Sequence, residues 1–172
     1  MLELGKSGSH GVPKGVVPVL TGTTVVATLR ASNWKESATA VVGDRTWVFG
    51  RQRRALVARW EADPADTARM RAEQTSAWKG SWALDLDGVR VDLVRTSWWR
   101  GTHRFVADGR TVAQTVPAGT WSPRLRLEAE PEVSLAGQVF LLWFESVLSR
   151  RNTAIAAGAA GAAGAAVAGG AS

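Results

Sequence analysis

Leu135–Arg151 reads LAGQVFLLWFESVLSRR. On a helical wheel at roughly 100° per residue, Gln138, Glu145 and Ser149 fall within about 40° of one another. Leu135, Val139, Phe140, Trp143, Phe144, Val147 and Leu148 fill most of the remaining circumference, and Leu141 and Leu142 flank the polar seam. A surface helix is apolar on one stripe. This one is apolar nearly all round, which predicts an enclosed helix. Leu135–Leu148 is only 14 residues, against roughly 20 for a bilayer span, and Glu145 lies within it. The position left is the lumen of a β-barrel. The seam of Gln138 and Glu145 would then point at a barrel mouth or find partners inside, because a lone buried carboxylate is costly. Arg150-Arg151 would mark the exit into water, where positive charge suits the C-terminal end of the helix dipole.

The chain before this helix reads as the wall. ATAVVGDRTWVFG has two apolar runs about Gly43-Asp44, a hairpin signal. WALDLDGVRVDLV turns at Asp87-Gly88 and THRFVADGRTVAQTV at Asp108-Gly109, pairs suited to type I′ turns. Trp82, Leu84 and Leu86 alternate with Asp85 and Asp87, and Val89, Val91 and Leu93 with Arg90 and Asp92. Leu125, Leu127 and Ala129 alternate with Arg124, Arg126, Glu128 and Glu130. Period two with charges outward gives strands with one wet face. Asp63-Pro64 opens either a short helix or a polar loop. Eight to ten strands are legible, so the prediction is a mostly β protein: an antiparallel β-barrel wrapped around a hydrophobic C-terminal α-helix.

Residues 1–15, rich in Gly and Ser with Lys6 and Lys14, read as a flexible arm. The barrel is assigned to 16–151 with its central helix over 132–151. Residues 152–172 are an Ala/Gly-rich, uncharged tail with Gly158, Gly161 and Gly164 at every third position. It reads as a disordered or weakly helical tail, with a membrane tail anchor as the second reading.

The 172 residues suit one domain. The net charge of +6 comes from 17 Arg and only 4 Lys, a choice that a GC-rich genome favours. Even discounted, it permits an anionic partner. With no cysteine, disulfides, thiolate metal sites and Cys nucleophiles are excluded. No secretory leader is visible, and the expected location is cytoplasmic, membrane-associated through headgroups or the tail.

Leu93–Pro117, LVRTSWWRGTHRFVADGRTVAQTVP, followed by LAGQVFLLWFESVLSRR, resembles short actinobacterial members of the tubby C-terminal-like superfamily, which includes LURP-one-related proteins and phospholipid scramblases. The resemblance covers Val16–Arg151. It implies roughly twelve strands around one helix, more than the residues themselves reveal; a shortfall would leave the barrel partly open.

No catalytic constellation stands out. Gly5-Lys6-Ser7 lacks the earlier Gly of a phosphate loop. His10 and His103 are the only histidines, too few and too far apart for a His metal cluster or a Ser-His-Asp arrangement. Ser76–Lys79 fits S-x-x-K without its companion motifs. Asp85, Asp87 and Asp92 lack the spacing of a calcium loop. No metal or cofactor is expected. The basic groups remain: Arg51, Arg53 and Arg54, with Arg100 and Arg104 beside Trp98 and Trp99 as a second patch. Guanidinium forks suit phosphate oxygens, Trp suits a membrane interface, and the resemblance implies phosphoinositide binding. The expectation is a non-catalytic binding module for anionic phospholipid headgroups. The alternative is a structural or protein-interaction domain whose arginines are simply a solvated outer face. Nucleic acid is disfavoured, since no recognised module accompanies the basicity.

Overall fold

The computed structural model describes residues 1–32, 36–76, 80–97, 102–118 and 124–168, with backbone alone for residues 97, 117, 118, 124 and 155–168. Twelve strands precede one helix: β1 (Leu2–Leu4), β2 (Val17–Thr21), β3 (Thr24–Ala31), β4 (Ala38–Val42), β5 (Arg45–Gln52), β6 (Ala55–Trp60), β7 (Met70–Ser76), β8 (Ser81–Leu86), β9 (Val89–Ser97), β10 (Thr102–Ala107), β11 (Arg110–Ala118), β12 (Arg124–Ala129) and α1 (Leu135–Ala168). Each strand pairs antiparallel with its neighbour in sequence, and β1 pairs with both β2 and β12 to close the barrel. Twelve strands exceed the eight to ten legible in the sequence, and closure leaves no free edge.

The turns follow their residues. Asp87-Gly88 (φ 57° and 92°) and Asp108-Gly109 (φ 49° and 76°) both take positive φ, as a type I′ turn requires. Gly43 supplies it (φ 61°) between β4 and β5. Trp82, Leu84 and Leu86 point into the core. Val89 shares the inward parity yet is 53% exposed, because it starts β9 at the rim. The stretch after Asp63-Pro64 forms turns rather than a helix. The Asp63 carboxylate accepts from Arg69 Nε at 2.7 Å, and Arg59 Nη1 donates to the carbonyls of Trp60, Glu61 and Asp63.

The lumen is filled by α1. Val139, Phe140, Leu141, Leu142, Trp143 and Phe144 are fully buried. Phe140 and Trp143 meet Phe49 of β5 at ring-centre distances of 5.7 and 5.2 Å. Phe144 meets Trp82 of β8 at 5.2 Å and Phe105 of β10 at 6.4 Å. Strands from different sides of the ring thus grip one helix, as its apolar circumference predicts. Ser134 Oγ accepts from Gly137 N at 3.1 Å, a side-chain cap on the first turn. Gln138 of the polar seam turns back to the entrance, donating to the Val133 carbonyl at 2.8 Å.

Two boundaries differ from expectation. Residues 1–15 are not a loose arm. Leu2 is buried and β1 is the closing strand, while Gly5 N and Gly8 N donate to the carbonyls of Pro18 and Val16. The edges of β2 and β12 need a partner, and Leu2-Glu3-Leu4 has the alternation to supply it. The helix also does not end at Arg151 but continues to Ala168, for Ala propagates a helix well even with interspersed Gly. Among the described residues, no helix is long and apolar enough to cross a membrane.

Candidate anion-binding rim

Because every connection joins neighbouring antiparallel strands, connections alternate between the two ends of the barrel. The helix enters at the end that carries residues 22–23, 43–44, 61–69, 87–88, 108–109 and 130–134. It leaves at the opposite end, which carries 5–16, 32, 36–37 and 53–54.

The two rims differ sharply in charge. The entry-rim connections hold Asp44, Glu61, Asp63, Asp66, Asp87, Asp108, Glu130 and Glu132, with Arg69 as their one base. All of these acids except Asp63 are exposed. The exit rim presents exposed Lys6, Lys14, Arg53, Arg54 and Arg150. Glu36 is its one acid among the described residues.

The expected ligand residues divide accordingly. Arg51, Arg53 and Arg54 sit together at the exit rim, on and beside the two-residue turn that joins β5 to β6. Arg51 Nε donates to the Arg53 carbonyl at 2.9 Å. Arg53 holds φ 54°, a left-handed conformation that favours Gly, Asn or Asp. The two-residue hairpin turn imposes this φ, at a local cost for arginine. Arg104 is exposed on the outer wall of β10, five strands round the ring from β5, so it does not join the Arg51–Arg54 cluster. Its expected companions Arg100, Trp98 and Trp99 lie outside the described residues.

Sequence reasoning missed the ion-pair knot where the helix leaves. Arg151 donates to both carboxylate oxygens of Glu36, Nε to Oε1 at 2.5 Å and Nη2 to Oε2 at 2.7 Å. Arg51 Nη1 approaches the same Oε2 at 3.8 Å. Arg150 Nη1 donates to the Ser32 carbonyl at 3.2 Å. The Arg151 hydrogen bonds hold the Glu36 carboxyl below its ordinary pKa, with Arg51 and Arg150 adding to the field.

It also missed a polar pair inside the lumen. β10 alternates, so His103 points inward with Phe105 and Ala107. Its Nδ1 lies 3.0 Å from Glu145 Oε2. Thr115 Oγ1 accepts from His103 N at 2.8 Å, tying the strand at the point where the β9–β10 register shifts. Burial pushes the Glu145 carboxyl above its ordinary pKa, against the opposing pull of His103.

Elsewhere, Arg71, Glu73, Asp85 and Arg90 line an open groove on the outer wall. Its charges alternate in sign, and the Asp85 carboxylate already accepts the Gly88 N–H of its own turn at 2.8 Å. Among the described residues, no three His, Cys, Asp or Glu come close enough to hold a metal. Comparison with family profiles, curated proteins and solved structures finds no match for this chain.

Proposed function

We propose that this protein is a tubby-like, non-catalytic module that engages anionic phospholipid headgroups end-on through its exit rim. The observation that carries the reading is the separation of charge along the barrel axis. A basic rim opposite an acidic one orients the barrel before contact, since the acidic end is repelled by the surface that attracts the basic end. Each Lys or Arg near an anionic leaflet contributes roughly 1 kcal/mol, screened within a Debye length. The exposed guanidinium groups of Arg53 and Arg54 at that rim support the same reading. So does the helix-filled twelve-stranded barrel, the architecture that the superfamily resemblance implies. A binding module is favoured over an enzyme because the most chemically suggestive pair, His103 and Glu145, is sealed in the lumen at 5% and 3% side-chain exposure.

Co-sedimentation with phosphoinositide-containing vesicles tests this. Binding should occur at low salt and weaken steeply as salt is added. Arg53→Glu with Arg54→Glu should abolish it without altering the melting curve, as both side chains are exposed. A wild-type protein that ignores these vesicles at low salt would refute the reading and leave the protein-interaction domain as the better one.

A further inference from the structure

The acid of the basic rim sits where its cations converge. Glu36 receives the Arg151 fork at 2.5 and 2.7 Å and has Arg51 at 3.8 Å. A pair that merely clamped the helix exit would need one cation. Here one negative charge faces Arg151 and Arg51, with Arg150 close enough to add to its field, so positive charge is left over. The Arg151 guanidinium is also braced from behind, its Cζ lying 5.3 Å from the centre of the Trp82 ring. The carboxylate remains reachable, with 27% of the Glu36 side chain exposed.

We propose that Arg51, Arg150 and Arg151 form a phosphomonoester-binding site that Glu36 occupies as a built-in competitor. A phosphomonoester carries about −1.5 to −2 charges at neutral pH and three acceptor oxygens. It matches a bidentate fork plus further guanidinium groups better than a carboxylate does, because it neutralises the surplus charge. When phosphate enters, the Glu36 side chain yields the fork of Arg151 and swings towards solvent. The site therefore discriminates: a singly charged diester headgroup gains too little from the fork to displace Glu36, and a terminal phosphate gains enough. This deepens the headgroup reading and rests on it only for the source of the phosphate, which is a lipid or a soluble phosphomonoester.

The test compares wild type, Glu36→Gln and Glu36→Asp against three probes: phosphatidate vesicles, phosphatidylserine vesicles of matched surface charge, and inorganic phosphate in solution. Glu36→Gln keeps the shape and removes the competing charge. Glu36→Asp keeps the charge and withdraws it by one methylene, so it serves if the first variant fails to fold. Both should bind phosphatidate about 10-fold more tightly than wild type, the size of a typical coupling between two ligands. The gain on phosphatidylserine should be several-fold smaller for Glu36→Gln and absent for Glu36→Asp. Adding Arg151→Lys, which keeps the charge and loses the fork, should erase the phosphatidate gain and spare phosphatidylserine binding. Equal gains on both lipids, or no gain while wild type still binds vesicles, would overturn the inference and leave the headgroup reading standing. Uptake of inorganic phosphate by the variants without any vesicle binding would uphold the site and assign it to a soluble ligand. No binding to any probe would overturn both.

Discussion

His103 Nδ1 and Glu145 Oε2 meet 3.0 Å apart inside the barrel, one on the wall and one on the helix. With Thr115 they make up the buried polar side chains among the described residues. In an otherwise apolar lumen, a polar pair between β10 and α1 fixes the rotation of the helix, because any other rotation would leave both groups without a partner.

That pair sets a pH dependence. Burial raises the folded-state pKa of Glu145 above 4.5, so its neutral form favours the fold. Stability should be fully present below the unfolded-state value and decline as pH rises through the folded one. Glu36 acts in the opposite sense. Its pKa is lowered from 4.5 by Arg151, so its contribution is present above 4.5 and lost as pH falls through the folded value. Denaturant melting across pH should show Glu145→Gln flattening the decline of stability above pH 4.5 and Glu36→Gln the decline below it. An unchanged slope above pH 4.5 in Glu145→Gln would contradict the assignment.

Trp143→Ala should cost about 3–5 kcal/mol of stability, the range for deleting a large buried aromatic. Trp143 is fully buried and stacks on Phe49 and Phe140. A loss below about 1 kcal/mol in urea melting would mean that the lumen collapses onto the cavity.

Deleting residues 1–4 should open the barrel. It removes Leu2 from the core and strips the partner from both β2 and β12. Two newly exposed edges favour association between chains. The expected result is a lower melting temperature and concentration-dependent sedimentation. A monomer with wild-type melting would show that β1 is dispensable.

Deleting residues 152–172 should leave the cooperative transition intact, because the fully buried helix residues all precede Ser149. Loss of that transition would give the tail a structural role. If the full-length chain fractionates with membranes in cells and the shortened one does not, the tail is an anchor.

The helix was legible because its apolar circumference admits few environments, and the Asp-Gly turns because that dipeptide suits positive φ at both positions. The remaining strands were hidden for local reasons. β1 has three residues, β2 contains Pro18, and the Arg53-Arg54 turn carries none of the usual turn residues. The rim was half legible. Arg51, Arg53 and Arg54 form a run in sequence, but Lys6, Lys14 and Arg150 join them only once strand order assigns each connection to an end. Arg104 was grouped with Arg100 by proximity in sequence, and strand alternation places it on the outer wall. His103 and Glu145 stand 42 positions apart. The inward parity of β10 and the unmatched carboxylate on the helix were the two clues to their meeting.

All twelve strands precede the helix that they enclose, and this order bears on biosynthesis. The wall leaves the ribosome first, at roughly 5–20 residues per second, with nothing yet available to occupy its interior. Until Leu148 emerges, the nascent chain is a series of amphipathic hairpins with bare apolar faces, a natural client for chaperones and proteases. A nonsense mutation in the codons for Leu135–Leu148 should therefore be as damaging as one in the first strand, even though it spares the entire wall.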